Sequence, residues 1–224
     1  MVEVGPGPGG LTEALLESKA ASVTAVEIDP RASEALTDLA TRHGERFRLV
    51  IGDARRIAIP ALVPPPRYVV ANLPYNVATP LLIGWLGEAA AFTGFILMFQ
   101  AEVAERITAV PGSPAYGRLS VLAQWTCEAR IALRLPPEAF TPQPKVSSAV
   151  VALRPHAVQP APSLFAAMQR LTAAAFGQRR KMLRAALKPL GGAALLAVAG
   201  IAPDRRAETL SIAEFDRLAR LLLA

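Results

Sequence analysis

Short apolar runs alternate with amphipathic stretches along the first part of the chain. The stretches between the runs space their apolar residues as helices do, with Pro30 at the first turn of one and Thr79–Pro80 at the start of another. This alternation predicts a parallel sheet with helices on both faces. The predicted strands, rich in valine and isoleucine, are VEVG, SVTAVEID, FRLVIGD, RYVVANL and GFILMFQ. The predicted helices are GGLTEALLESKA, PRASEALTDLATRH and TPLLIGWLGEAA.

The pattern changes in the last third of the chain. EARIALRLPP and KVSSAVVALRP predict two later strands that pair antiparallel at one edge of the sheet. After the proline-containing stretch RPHAVQPAP the periodicity is helical, and Ser211 and Glu214 have the spacing of a capping box. The predicted helical segments are SLFAAMQRLTAAAF, RRKMLRAALK, AALLAVAG and SIAEFDRLARLLL. We therefore predict an α/β domain over residues 1–155 and a small all-helical domain over residues 156–224.

Composition narrows the classes of protein that fit. The chain has 224 residues, 52% of them hydrophobic, with a mean hydropathy of +0.33, which favours a folded core over disorder. Its longest apolar stretches are too short or too interrupted to predict a membrane span. Cys127 is the lone cysteine, and His43 and His156 are isolated, so no metal site, disulfide or nucleophile–base pair is expected. With no leader pattern at Met1, the expected location is the cytoplasm.

Charge is concentrated in the helical segment. Residues 1–155 contain 14 basic and 14 acidic residues, whereas residues 156–224 contain 10 basic and 4 acidic ones. Twenty of the 24 cations are arginines, whose planar guanidinium suits phosphate groups. This distribution favours a nucleic-acid partner. An arginine-rich solvated surface is the alternative.

A glycine-rich turn joins the first predicted strand to the first predicted helix. The sequence EVGPGPGGLT lets a ligand approach the backbone closely at a helix start. Glu27 ends the second strand, where a carboxylate can accept hydrogen bonds from ribose hydroxyls, and Asp53 follows the third. The Asp53 carboxylate could accept from an adenine amino group, although a simple turn-forming aspartate is an equal alternative. The glycine order is G-x-G-x-G-G, with Glu3 just before it and no arginine nearby. Together these features favour an adenosine-containing ligand over a nicotinamide dinucleotide.

The stretch VVANLPYNVATP ends the fourth predicted strand in an amide, a proline and a tyrosine. Asn72 can accept a hydrogen bond from an amino group, and the Leu73 and Pro74 carbonyls can act as further fixed acceptors. Tyr75 offers a flat face on which a base can stack. These residues predict a socket for a planar amine. The alternative is a proline-terminated strand with a core tyrosine.

Asn-Leu-Pro-Tyr behind a glycine-rich loop resembles the adenine-N6 methyltransferases that use S-adenosylmethionine. The chain as a whole resembles the bacterial small-subunit ribosomal RNA adenine dimethyltransferase family. The stretches that carry this resemblance are MFQAEVAERI, AYGRLSVLAQW, PPEAFTPQPKVSSAVV, FGQRRKMLR and RAETLSIAEF.

The resemblance implies a class I (Rossmann-like) methyltransferase sheet with a helical RNA-binding domain. It also implies a monomer that dimethylates two adjacent adenines in the 3′-terminal hairpin of 16S rRNA, within the immature small ribosomal subunit. The residues implied to act on the target base are Asn72, Leu73, Pro74, Tyr75 and Phe140. The residues implied to hold S-adenosylmethionine are Glu3, Gly5, Gly7, Glu27, Asp53, Ala54 and Asn72. The residues implied to contact RNA are Lys145, Arg179, Arg180, Lys181 and Arg184.

One departure from the family concerns the start of the chain. Family members carry a segment of a few dozen residues before the first strand, whereas Met1 already lies inside that strand here. We therefore expect weak S-adenosylmethionine binding and low activity for this polypeptide. Two alternatives remain open, namely a small-subunit assembly factor that binds rRNA with little catalysis, and a related methyltransferase acting on 23S rRNA.

Overall fold

The computed structural model describes residues 1–178 and 180–223. The first five strands of the chain pair in parallel. Within these residues, seven strands form one sheet in the order β3-β2-β1-β4-β5-β7-β6, and β7 runs antiparallel to both β5 and β6. The predicted strands and the antiparallel edge are confirmed. The strands are β1 (Val2–Val4), β2 (Val23–Glu27), β3 (Phe47–Ile51), β4 (Tyr68–Asn72), β5 (Gly94–Gln100), β6 (Cys127–Leu135) and β7 (Ser148–Pro155).

The central strands are covered on both faces, which explains their continuous apolar sequences. All three residues of β1 are buried, and so are the first four residues of β2. Strand β6 lies at the sheet edge and is more exposed. The burial therefore follows the rule that the middle of a parallel sheet is apolar throughout, whereas an edge strand is half solvated.

Helices cover the sheet and form most of the C-terminal part. Helices α3, α5 and α6 were not among those predicted. The helices are α1 (Gly10–Glu17), α2 (Ala32–His43), α3 (Ile59–Leu62), α4 (Tyr75–Leu86), α5 (Ala101–Thr108), α6 (Arg118–Thr126), α7 (Pro162–Gly177), α8 (Leu183–Ala186), α9 (Gly192–Val198) and α10 (Ile212–Leu221). Short 3₁₀ turns lie at Gly44–Arg46, Ala89–Ala91, Pro137–Ala139, Lys188–Leu190 and Ala207–Thr209.

The predicted start of α4 at Thr79–Pro80 is wrong. The helix begins at Tyr75, directly after Pro74, and Pro80 lies inside it. An interior proline removes one backbone hydrogen bond, but the Pro80 ring is exposed, while the opposite face of α4 packs in the core. As a result, Tyr75 belongs to the first turn of a helix instead of a loop.

The C-terminal helices share one continuous hydrophobic core with the sheet. The rings of Trp125 and Phe165 stack with centroids 6.2 Å apart, and the Trp125 Nε1 donates a 3.1 Å hydrogen bond to Asp216 Oδ1. The α10 capping box is confirmed, because Ser211 Oγ accepts from the Glu214 amide at 3.2 Å. Division of the chain at residue 156 remains a prediction, since packing is continuous across it.

The helix predicted over RRKMLRAALK is shorter than expected. Helix α8 spans only Leu183–Ala186, and residues 180–182 are not helical. Among the described helices, none has both the length and the apolar character that crossing a bilayer requires.

Candidate active site

A cleft opens at the carboxyl ends of β1 and β4, where the strand order reverses direction. The chain leaves β1 toward β2 on one side, while β4 leads to β5 on the other, which makes this the switch point at which open α/β sheets bind ligands. The cleft has a volume of about 380 Å³. Its lining residues are Val4, Gly5, Gly7, Val26, Glu27, Ile28, Gly52, Asp53, Ala54, Arg55, Asn72, Leu73, Pro74, Asn76, Val77 and Leu81.

The glycine-rich turn after β1 forms one wall of the cleft. Gly7 has a φ of +53°, which L side chains rarely adopt, although the space around it is open. Gly9 has a φ of +91°, and a Cβ there would lie 2.7 Å from side-chain carbons of Leu36 and Leu39. The turn therefore packs closely against α2 while Gly5 and Gly7 leave backbone accessible to a ligand.

Glu3 lies beneath this turn and does not line the cleft. It is 1% exposed, and its Oε2 accepts a 2.6 Å hydrogen bond from Thr12 Oγ1 in α1. Burial raises the pKa of Glu3 to about 7, and the hydrogen bond from Thr12 only partly offsets this. The contact links β1 to α1 across the glycine-rich turn, so Glu3 can influence a ligand only through that turn.

Two carboxylates line the cleft opposite the turn. Glu27 Oε1 accepts hydrogen bonds from the amides of Ile28 at 2.7 Å and Asp29 at 3.0 Å. Within the described residues, Glu27 Oε2 accepts none. The Arg55 guanidinium binds Asp53 through Nε at 3.0 Å and Nη2 at 2.7 Å, and this pairing lowers the pKa of Asp53 to about 2. Both carboxylates can thus accept hydrogen bonds from a ligand, with Asp53 held ionised.

The motif after β4 presents two oxygen acceptors. Asn72 ends β4 and is exposed, while Leu73 as a whole residue is only 2% exposed. The Pro74 carbonyl accepts from the amides of Val77 and Ala78, both at 3.1 Å, and so begins α4. In the described part of the chain, no group donates to the Leu73 carbonyl. The acceptors without a hydrogen-bond donor among the described residues are therefore the Asn72 amide oxygen and the Leu73 carbonyl, whereas the Pro74 carbonyl is engaged.

Tyr75, Phe140 and Lys145 also lie outside the cleft lining. Tyr75 is 36% exposed, and its hydroxyl lies 2.8 Å from Ser148 Oγ. Phe140 follows the 3₁₀ turn Pro137–Ala139 and is partly buried, while Lys145 is exposed. The structure thus brings the predicted donor-binding residues except Glu3 into one cleft, and leaves the aromatic and lysine residues outside it.

The predicted basic segment follows α7. Arg180, Lys181 and Arg184 are exposed, and none of their side chains forms an ion pair with a described residue. Arg179 lies outside the described residues. Exposed cations without local partners are suited to polyanion contact.

Sequence reasoning missed several lining residues. Ile28 is 63% exposed beside Glu27, and its sequence signal is its place directly after a strand-ending carboxylate. Asn76 and Val77 line the cleft because α4 begins at Tyr75, whereas the sequence had placed them before the helix. Across residues 1–178 and 180–223, no group of histidine, cysteine and acidic residues could hold a metal ion.

Comparison with known proteins gives a consistent result. The model of the family described as ribosomal RNA adenine dimethylase matches residues 1–223. A ribosomal RNA small subunit methyltransferase A from Gluconobacter oxydans is 60% identical over 224 residues, covering 100% of this chain and 74% of the relative. The protein of the same name from Rhodospirillum rubrum is 53% identical over 221 residues, covering 98% of this chain and 77% of the relative.

Solved structures resemble the whole fold. A dimethyladenosine transferase from Plasmodium falciparum has a TM-score of 0.78 at 25% identity, covering 97% of this chain and 87% of that protein. The 23S rRNA methyltransferase ErmE has a TM-score of 0.71 at 25% identity, covering 100% of this chain and 90% of that protein. The expected Rossmann-like methyltransferase fold is confirmed.

Proposed function

This chain belongs to the ribosomal RNA adenine dimethylase family and is thus a methyltransferase, and from that premise we propose that it dimethylates 16S rRNA. In this proposal S-adenosylmethionine methylates the N6 amines of two adjacent adenines in the 3′-terminal hairpin of the assembling small subunit. The relatives at 60% and 53% identity are named for the small subunit, which supports 16S over 23S rRNA. We further propose that the chain acts as a monomer in the cytoplasm.

The cleft fits an adenosine-containing methyl donor in size and in chemistry. Its volume of about 380 Å³ is in the range of small-molecule pockets. Gly5 and Gly7 let the donor approach the backbone, and Glu27 Oε2 is available to accept from a ribose hydroxyl. Asp53, held ionised, accepts from the adenine amino group, with Ala54 beside it. In this proposal the donor methyl faces Asn72.

The observation that carries the proposal is the pair of oxygen acceptors after β4. The nitrogen lone pair of an exocyclic adenine amine is delocalised into the ring, so the amine is a poor nucleophile. In the first transfer the Asn72 amide oxygen and the Leu73 carbonyl would accept the two hydrogens of the amine, rotate it and free its lone pair for in-line attack on the methyl group, with S-adenosylhomocysteine as the leaving group. In the second transfer the amine has one hydrogen left, and one of these acceptors would hold it. Pro74 holds Leu73 extended, which fixes the direction of the Leu73 carbonyl. No general base is required, because water can take the proton after transfer.

The target base must leave its stack to reach these acceptors. We propose that Tyr75 stacks on one face of the base and Phe140 covers the other, with Lys145 contacting nearby phosphate. The exposed side chains of Arg180, Lys181 and Arg184 would hold the RNA backbone. Arg179 is part of the same proposed basic segment.

Methyl transfer to small subunits that lack adenine methylation tests the proposal. The chain is incubated in excess with labelled S-adenosylmethionine and such subunits, and the RNA is then digested for nucleoside mass spectrometry. We expect dimethyladenosine in 16S rRNA. A chain that binds subunits without labelling them would instead be an assembly factor, and labelling confined to 23S rRNA would also refute the proposal.

Substitution of Asn72 tests the mechanism. Asn72→Ala removes one acceptor, and we expect about a hundredfold slower transfer with unchanged subunit binding, because such preorganised groups act mainly in the transition state. Asn72→Asp keeps an oxygen acceptor and is expected to retain more activity than Asn72→Ala. An undiminished rate for Asn72→Ala would refute the role given to the acceptors.

A further inference from the structure

A hydrogen bond connects Tyr75 to a strand far away in sequence. The hydroxyl groups of Tyr75 and Ser148 lie 2.8 Å apart, and either can be the donor. Ser148 is 0% exposed, whereas Tyr75 is 36% exposed. The bond therefore runs from the rigid interior of the sheet to an aromatic ring at the surface.

Ser148 is held firmly by its neighbours. It is the first residue of β7 and is paired in register with Gln100 of β5 and Leu135 of β6. The adjacent Ser147 carbonyl accepts a 2.9 Å hydrogen bond from the Ala101 amide. Because pairing on both sides fixes this backbone, the Ser148 hydroxyl is a stationary partner for Tyr75.

The Tyr75 ring is consequently fixed at both ends. Its Cα belongs to the first residue of α4, which starts directly after Pro74. Its hydroxyl is held by Ser148, so the line from Cβ to the hydroxyl oxygen cannot swing about χ1 without breaking the bond. The hydrogen bond fixes the long axis of the ring and leaves only rotation about that axis, so the ring has less orientation to adjust when a base stacks on it.

We propose that Ser148 is a positioning residue that orients the Tyr75 ring for stacking of the target adenine. This inference rests on the proposed function, in which Tyr75 stacks on the base. Ser148 also begins the strand that follows Phe140 and Lys145 along the chain. Tyr75 is therefore bonded to the start of the strand that follows Phe140 in the sequence.

The expected decrease in the methyl-transfer rate corresponds to the loss of one neutral hydrogen bond, that between Tyr75 and Ser148. We expect about a fivefold to tenfold decrease in the single-turnover rate at saturating chain and donor for Ser148→Ala. Tyr75→Phe removes the same bond from the exposed end and should cause the same decrease. The double variant should be no slower than either single variant, because the two changes remove one interaction.

The experiment compares these variants in the transfer assay with unmethylated small subunits. Ser147→Ala, an exposed serine in the preceding position, is the matched control and should react at the wild-type rate. Half-saturating concentrations of subunits and of S-adenosylmethionine should stay within about twofold of wild type, because the bond acts on orientation rather than on binding.

Several results would overturn the inference. They are a wild-type rate for Ser148→Ala, additive losses in the double variant, or a loss confined to the half-saturating concentrations. If Ser148→Ala does not fold, Tyr75→Phe tests the same hydrogen bond, because it removes the hydroxyl group of the more exposed partner. A wild-type chain that transfers no methyl groups would refute the proposed function itself, whereas active wild type with unimpaired variants refutes the inference alone.

Discussion

Replacing Glu3 with glutamine should change how the stability of the protein depends on pH. Glu3 is 1% exposed, and burial raises the pKa of its carboxyl from 4.5 to about 7. Glutamine has nearly the same shape, and its side-chain oxygen can still accept the hydrogen bond that Thr12 Oγ1 donates at 2.6 Å. The substitution therefore removes the titration while it keeps the packing.

The sign and the size of the effect follow from the raised pKa. Below about pH 4 the carboxyl of Glu3 is protonated in both the folded and the unfolded state, so it contributes no pH dependence. As the pH rises toward about 7, the unfolded chain releases this proton while the folded protein keeps it, and the free energy of unfolding falls. Above about pH 7 the loss is complete. At about 1.4 kcal/mol per pKa unit it amounts to about 3 kcal/mol.

The measurement is urea unfolding of wild type and Glu3→Gln at several pH values between about 4 and about 8. The free energy of unfolding of the variant relative to wild type should increase by about 3 kcal/mol across this range. In thermal unfolding, each kcal/mol corresponds to a shift of about 2–4 °C in Tm. Glu17→Gln, an exposed position at the end of α1, is the control and should show almost no such change. A constant difference between Glu3→Gln and wild type at every pH would refute the reasoning.

Two further predictions concern the glycine-rich turn and the basic segment. Gly9→Ala should lower the free energy of unfolding by about 2–4 kcal/mol, because the φ of +91° is strained for alanine and its Cβ would lie 2.7 Å from neighbouring leucine side chains. Gly10→Ala, where a Cβ meets nothing within 4 Å, should be nearly neutral, and equal effects of the two in urea unfolding would contradict this explanation. Replacing Arg180, Lys181 and Arg184 together by alanine should weaken subunit binding and reduce the slope of log K against log salt by about 2–3. An unchanged slope would show that these side chains do not contact phosphate.

Much of the cleft could be predicted from the sequence because parallel strands end at one edge. Gly5, Glu27, Asp53 and Asn72 each follow or end a predicted strand, so their meeting required only the correct strand pattern. The predicted start of α4 is wrong because proline is favoured in a first turn, so Pro80 indicates a helix start, whereas it lies inside the helix.

Other features could not be predicted because they depend on side-chain and backbone geometry. The pairing of Arg55 with Asp53 and the engagement of the Pro74 carbonyl by α4 are local contacts that residue types alone do not specify. The bond between Tyr75 and Ser148 joins residues 73 positions apart, and it depends on the register of β7.

The continuous core beneath the C-terminal helices has a consequence for how two neighbouring adenines would be methylated one after the other. Contacts such as the stacking of Trp125 on Phe165 fasten these helices to the sheet, so the basic segment proposed to bind RNA and the cleft are held at one fixed separation. The distance between these two parts of the protein therefore stays constant during the reaction. Under the proposed function, the second adenine would then reach the cleft when the RNA shifts by one nucleotide relative to the protein.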